Sequence, residues 1–300
     1  MIGTGTIDDP FIPTTLDEFR TAVSTDDAYV KLENDIDVSK DVKYRSGFTA
    51  PTNGRIFEIS CKRIYADTKR AVKNLIINGA MKNFIYAYRA YSTITVENIQ
   101  FLNILIRNCT DSWLYVYYYQ SCTLNLINCD FSAFVLSNVC KPLLDGSHGL
   151  VCVDTSFYFV YITTSIYNNS NVYLFRPLSM TNCSIYVNCD GVRGGVASTP
   201  LHILTKATNT NLSGDFHLAD SDYNVFEIMN SCTNVLCSVR FTCSDTTTAT
   251  INCGGGSGIN VVVTDIINGP TLGTYDSTVQ LMSSDEAKDI ISLQKIGFLP

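Results

Sequence analysis

The sequence predicts an all-β solenoid, a chain wound into stacked coils, and three observations carry that prediction. A short motif recurs down the middle of the 300-residue chain, asparagine recurs at candidate corners ahead of small apolar residues, and no long amphipathic helical period interrupts the strands. The motif is clearest where Thr95-Val-Glu-Asn-Ile-Gln-Phe101 is echoed by Leu124-Asn-Leu-Ile-Asn-Cys-Asp-Phe131. Weaker echoes follow at 153–157, 180–185, 211–216 and 235–241, with 72–78 upstream and 249–253 downstream. A period drifting between roughly twenty and thirty residues suits coils whose loops vary in length. One coil cannot bury its own inner face. Stacking does so, and it pairs each strand's backbone with the coils above and below.

The elements follow in order. Residues 1–55 read as a capping segment in which Thr15-Leu-Asp-Glu18 is a capping-box pattern, setting Leu16, Phe19 and Val23 on one helical face. Residues 56–281 carry the coils. Residues 282–300 read as a helical tail, because Ser283-Ser-Asp-Glu286 is a second capping box leading into Ala287, Ile290, Ile291 and Leu293, with Gly297 as a stop. Gly254-Gly-Gly256 lacks the Lys-Ser/Thr that completes a phosphate cradle, which argues against nucleotide binding.

Five of the twelve cysteines directly follow asparagine: Cys109, Cys129, Cys183, Cys189 and Cys253. Asparagine tolerates the left-handed conformation and free cysteine is among the most buried residues, so the pair reads as a corner followed by a reduced core thiol. With no C-x-x-C pair and three histidines, the usual zinc patterns are missing, and neither metal nor cofactor is expected.

A net charge of −7 leaves no global positive field for phosphate backbones, so nucleic acid is not an expected partner. The uncharged stretch 155–175 is broken by Asn168, Asn169, Ser170 and Asn171, too polar for a hydrocarbon core. The opening MIGTGTIDDP has neither a basic nor an apolar leader region, and cytoplasmic synthesis is the expectation.

Short V/I-x-N-x-x-F turns with asparagine corners and aliphatic inward positions resemble the right-handed parallel β-helix of pectate-lyase-like proteins and viral tailspikes. The opening Gly3-Thr-Gly-Thr-Ile-Asp-Asp-Pro-Phe-Ile-Pro-Thr-Thr-Leu-Asp-Glu-Phe19, followed by Tyr29-Val-Lys-Leu-Glu-Asn-Asp-Ile-Asp37, resembles β-helix virion proteins of tailed bacteriophages of gut bacteria. The resemblance implies a single-stranded right-handed parallel β-helix on a virion surface.

Enzymes of this fold usually carry several carboxylates on one outer face. The nearest such cluster is Asp215, Asp220 and Asp222 around His217, which could form a hydrolytic pair only if neighbouring coils aligned it. A polar loop is the preferred explanation. Gly146-Ser-His148-Gly149 matches the Gly-His-Gly of polygalacturonase-like enzymes only loosely, their companion Asn-Thr-Asp and Asp-Asp motifs are missing, and His148 reads as a turn residue. No nucleophile elbow lies near any histidine. The basic cluster Lys62, Arg63, Lys69, Arg70 and Lys73 is mixed with Asp67 and reads as a solvated face.

The aromatic rows are the strongest functional hint. In Trp113-Leu-Tyr-Val-Tyr-Tyr-Tyr119, strand alternation sends Leu114 and Val116 inward and Trp113, Tyr115, Tyr117 and Tyr119 outward. Tyr86, Tyr88 and Tyr91, and Phe157, Phe159 and Tyr161, would extend that sheet. A subunit interface is favoured over a glycan platform, with packing under a loop as the third reading. The expectation is therefore a non-enzymatic structural protein of a phage virion, a capsid decoration or fibre, forming a homotrimer bound to other capsid or tail proteins. The alternatives are a tailspike-type depolymerase and a non-catalytic adhesin for a host surface glycan.

Overall fold

A computed structural model of the chain describes residues 1–38, 43–44, 54–77, 81–106, 109, 111–117, 121–136, 143–163, 173–192, 201–218, 225–243, 250–253, 260–267, 271–275 and 279–282. Its strands form a parallel β-solenoid, as the repeats predict. Three ladders run along the axis, and a fourth run, joining Lys43–Tyr44 and Ile76–Ile77 to 105–106, 134–136, 161–163, 189–190, 216–218, 241–243 and 266–267, continues beside the second. The first joins Tyr29–Lys31 to 63–65, 93–97, Thr123–Ile127, 150–153, 179–181 and Ala207–Thr208. The second starts at Ile36–Asp37 and passes through 70–73, 99–102, 130–133, 156–159, 184–187, 211–214, 236–239 and 260–263 to Val279–Met282. The third stacks Phe57–Ile59, Ile85–Ala87, Leu114–Val116, 144–146, 173–177, Leu201–Thr205, Val225–Asn230, Thr250–Cys253 and Thr271–Tyr275.

The first coil opens inside the segment read as a cap at 1–55. Tyr29–Lys31, Ile36–Asp37 and Lys43–Tyr44 already pair in parallel with 63–65, 72–73 and Ile76–Ile77. Strands so short, set among charged residues, have too little alternation to read from sequence. The tail expected beyond Met282 and the loop 254–256 lie outside the described residues.

Helix α1 spans Leu16–Val23. Its N-cap Thr15 accepts the Glu18 N–H at 3.2 Å, and the Glu18 carboxylate accepts the Thr14 N–H at 2.8 Å, so the return arm of the capping box lands one residue early. Leu16, Phe19, Ala22 and Val23 are buried, and Phe19 meets Phe57 edge-on at 5.5 Å. The Val23 carbonyl accepts N–H groups from Ser60 and Cys61 at 3.0 and 3.1 Å. One face of the helix therefore lies against the adjoining coil.

Inside, the second ladder aligns Val72, Phe101, Phe131, Phe157, Ile185, Leu212 and Cys237 in one row. Phe101, Phe131 and Phe157 stack at 5.4 and 5.1 Å with rings within 7° of parallel. This row corrects three of the sequence echoes. Phe216 and Phe241 fall in a separate row with Cys189, and Val72 pairs with Phe101 rather than with Val96. It also fixes the phase of strand Ser156–Thr163: Phe157 and Phe159 point inward and are buried, while Tyr158 is 47% exposed. The outward placement expected for the two phenylalanines is reversed, because Phe157 stacks on Phe131.

The corners hold the asparagines as expected. Asn98, Asn128, Asp154, Asn182, Asn209 and Asn234 all take positive φ, between 47° and 60°, the left-handed region their short polar side chains tolerate. Their amides bond from coil to coil: Asn128 to Asn98 at 2.7 Å, Asn182 to Asp154 at 3.1 Å, Asn209 to Asn182 and Asn234 to Asn209 both at 3.3 Å. The next residue turns inward each time, giving a buried row of Ile99, Cys129, Thr155, Cys183, Thr210 and Val235. Thr155 and Thr210 satisfy their buried hydroxyls by donating to the carbonyls of Val153 and Thr208 at 2.9 Å.

The nine cysteines whose side chains are described are all free and buried. Burial pushes Cys61, Cys109 and Cys129 up to about 12 and Cys122 and Cys183 to about 11, and raises Cys152 well above the ordinary thiol value. Only the thiolate reacts. We therefore expect these nine to be silent to a thiol reagent at pH 8 in the folded protein, and nearly all twelve of the chain's cysteines to titrate in denaturant without reductant. Eight missing thiols would mean four disulfides and would overturn the account of a reduced core.

The basic cluster is a solvated, ion-paired face: Arg63 meets Glu97 at 2.5 Å, Lys69 meets Asp130 at 2.6 Å and Lys73 meets Asp35 at 3.1 Å. Burial raises the Asp130 carboxyl, but the Lys69 ammonium, Gln100 amide and Ser156 hydroxyl outweigh it and hold the group below its ordinary range. A carboxyl depressed on folding stabilises the fold above its unfolded pKa of about 3.9, and the gain is lost as pH falls through the folded value. The stability gap between wild type and Asp130→Asn should thus narrow between pH 5 and pH 2. Denaturant midpoints across that range test it, and a constant gap refutes it.

Candidate functional site

Parallel, in-register pairing turns one outward position per coil into a row. On the outer face of the third ladder that row is Glu58, Tyr86, Tyr115, Asp145 and Arg176, each opposite the next. Adjacent rungs lie about 4.8 Å apart, so the row runs over roughly 19 Å. The side chains beside it make a groove of about 560 Å³ whose lining includes Arg55, Asp111, Tyr115, Tyr117, Asp145 and His148. A second hollow of about 520 Å³ shares Ser147, His148 and Arg176 with the first and continues to Tyr173, Leu178, Thr205, Lys206 and Ser231.

The aromatic half is packed together by its own rings. Tyr86 stacks on Tyr88 at 5.6 Å and on Tyr115 at 5.7 Å, and Tyr117 tilts against it at 6.1 Å. The Arg55 guanidinium sits 3.4 Å over the Tyr86 ring and is itself held by Glu58 at 3.0 Å. Tyr86 is consequently buried although it points outward, and burial pushes its phenol up. Tyr115 and Tyr117 stay half-buried along the groove.

The charged half is anchored by Arg176, whose Nε and Nη2 both donate to Asp145 Oδ1 at 3.0 and 2.7 Å. His148 is exposed on a bulge of the strand Leu144–Val153, where the register shifts between Gly146 and Val151. That bulge explains the Gly-Ser-His-Gly motif sterically. A Cβ at Gly146 would stand 2.3 Å from the Leu150 Cβ, and one at Gly149 1.9 Å from the Cys122 carbonyl oxygen. Both positions need glycine, and His148 is lifted to the groove rather than placed in a turn.

The candidates named from sequence are partly redistributed. Trp113 is fully buried, stacked on Phe84 at 4.8 Å and edge-on to Phe131 and Phe159 at 5.6 and 5.3 Å. It precedes the strand Leu114–Val116, at a corner where alternation does not hold, so Ser112, Trp113 and Leu114 are all inward. Of the proposed outward row, Tyr115 and Tyr117 line the groove and Tyr119 lies outside the described residues. Of the acidic cluster, Asp215 faces Arg240 at 3.7 Å and His217 meets Asp190 at 2.7 Å, while Asp220 and Asp222 lie outside the described residues.

Sequence reasoning missed Glu58, Arg55, Asp145, Arg176 and Lys206. The available signal was the repeat itself, because Leu144-Asp-Gly and Phe175-Arg-Pro are equivalent segments one coil apart. Among the described residues no group of three or more His, Cys, Asp or Glu could hold a metal ion, and no helix is long and apolar enough to cross a membrane.

Fold and groove together define a class: a parallel β-solenoid carrying a ligand-sized groove on one outer face. Comparison with protein-family models, with curated proteins and with solved structures finds no significant match in any of the three.

Proposed function

We propose that the protein is a non-enzymatic structural component of a tailed-bacteriophage virion, a homotrimer of right-handed parallel β-helices on the capsid or tail surface, assembled in the host cytoplasm. The observation that supports the non-enzymatic part is that, among the described residues, every carboxyl displaced from its ordinary range is displaced downward. Asp27 is held below its ordinary range by Arg89, Asp35 by the Ala71 N–H and Lys73, and Asp130 by Lys69, Gln100 and Ser156. A glycan-cleaving acid needs the opposite, a carboxyl raised enough to donate its proton. In the groove, Glu58 and Asp145 stand three rungs apart, about 14 Å, beyond the spacing of a hydrolytic pair, and Asp145 is committed to Arg176 while Asp111 accepts the Ser112 N–H at 2.8 Å.

The virion assignment draws on the resemblance of residues 3–19. Helix α1, with its apolar face against the adjoining coil, fits the need of a solenoid to close its open end. Tyr158 and Tyr186, stacked at 4.7 Å on the outer face of the second ladder, offer aromatic area for a subunit contact. The tests are the copy number and position of the chain in intact particles by cryo-electron microscopy, with light scattering on the isolated protein. Threefold copies on the particle exterior and a three-chain mass are expected. A monomer at micromolar concentration, or turnover of host capsule abolished by Asp145→Asn, would sink the proposal.

A second reading is favoured by the groove itself, whose tyrosines and fixed ion pair suit a ligand more than a subunit. On that reading the solenoid is a non-catalytic adhesin that binds a host surface glycan.

A further inference from the structure

We propose that the groove takes an anionic saccharide, with sugar rings on Tyr115 and Tyr117 and the acidic substituent at Arg176, His148 and Lys206. The inference rests on the adhesin reading and gives it a ligand class. Its basis is the way charge is divided along one continuous depression. The two hollows share Ser147, His148 and Arg176, so they form a single path from the tyrosines to Lys206. In the tyrosine half the carboxylates of Asp111 and Asp145 are balanced on the wall by Arg55 and Arg176. In the other half no lining residue among those described is acidic, while Arg176 and Lys206 bring two cations. A chain of net charge −7 does not acquire such a subsite from its average composition.

The cations are available in complementary ways. Lys206 forms no ion pair among the described residues, and its backbone is fixed at a corner with φ 54°, its carbonyl accepting the Met180 N–H at 3.1 Å. Arg176 spends Nε and Nη2 on Asp145, which sets the plane of the guanidinium and leaves Nη1 outside that pair. The ring of Tyr173 lies 5.3 Å below it. At the opposite end, half-buried Tyr115 and Tyr117 line the wall, and a tyrosine's apolar ring with a hydroxyl at its edge suits the mixed C–H and O–H surface of a sugar. Tyr115 and Arg176 are two rungs apart, about 10 Å, so the neutral and acidic rings of one short oligosaccharide reach both. A polyanion charged at every unit fits less well, because its charges would pass Asp111 and Asp145.

Titration calorimetry on the full chain tests this with two probes, hyaluronan tetrasaccharide, which carries a carboxylate on alternate rings, and the neutral chitotetraose. The acidic probe should bind at least tenfold more tightly, and its advantage should shrink as salt is raised. Lys206→Glu should remove that advantage and leave circular dichroism unchanged, Tyr115→Ala should weaken both probes, and Lys62→Glu, outside the groove, should change neither. Equal affinity for the two probes overturns the anionic ligand and leaves the adhesin reading standing. Binding of neither probe, or binding indifferent to Tyr115→Ala, overturns both. Inorganic sulfate that displaces the acidic probe completely, with Tyr115→Ala silent, makes the hollow a bare anion site and also refutes the saccharide.

Discussion

Replacing Phe131 by alanine is expected to cost about 3–5 kcal/mol of stability, the range for deleting a buried aromatic side chain in a core that cannot collapse around the cavity. Phe131 lies between Phe101 at 5.4 Å and Phe157 at 5.1 Å, with the edge of Trp113 at 5.6 Å. Strand spacing is fixed by the backbone bonds of coils on both sides, so neighbours cannot move in to fill the hole. Trp113 is the chain's one tryptophan and reports on this cluster directly. Its emission should shift to the red at a markedly lower denaturant concentration in Phe131→Ala. Phe131→Leu should retain most of the stability because it keeps most of the apolar volume, and equal losses from both substitutions would show instead that the ring stack, not the volume, carries the stabilisation.

Gly149→Ala is expected to be severely damaging for a single added methyl. The added Cβ would stand 1.9 Å from the Cys122 carbonyl oxygen, an atom of the neighbouring coil's backbone with no rotamer to escape into. Gly214 repeats the situation, 1.7 Å from the Val187 carbonyl oxygen and with φ at +146°. Relief requires prising two coils apart, which breaks ladder hydrogen bonds on both sides. A loss of more than about 3 kcal/mol, or failure to accumulate as soluble protein, follows. Ser147→Ala, on the same bulge but facing the groove, should stay within about 0.5 kcal/mol of wild type. If Gly149→Ala matched that control in thermal unfolding, the coil spacing would have to be softer than the register implies.

What could be read in advance divides along a physical line. The asparagine corners were legible because left-handed backbone and thiol burial are properties of one or two residues. Phe101 and Phe131 were legible because like residues stack in like positions. Alternation, by contrast, says which residues share a face and not which face is inside; hence Phe157 and Phe159 were assigned to the wrong one. Trp113 was misplaced because a corner residue obeys no alternation. The solenoid's early start at Tyr29 was hidden by the shortness of its strands. In the groove, Tyr115 and Tyr117 could be named from sequence, whereas Asp145 and Arg176 meet across 31 residues and acquire meaning only once the coils are in register.

The corner asparagines also make the solenoid a molecule whose length is adjustable. Asn182, Asn209 and Asn234 occupy equivalent points on successive coils, each bonded to the one before. Excising residues 210–234 would join Asn209 directly to Val235, the same corner-to-core step that Asn209 now makes to Thr210. The seam would re-form the left-handed corner, the inward row and the strand that follows, leaving a shaft shorter by one layer with Arg176 and Lys206 still in place. Loss of that unit takes Ser231 from the far wall of the second hollow but keeps Tyr115, Tyr117, Asp145, His148, Arg176 and Lys206, so it resets how far the groove stands from the far end while leaving most of its lining in place. Reach and recognition are thereby separable, and a lineage could tune the first while conserving the second.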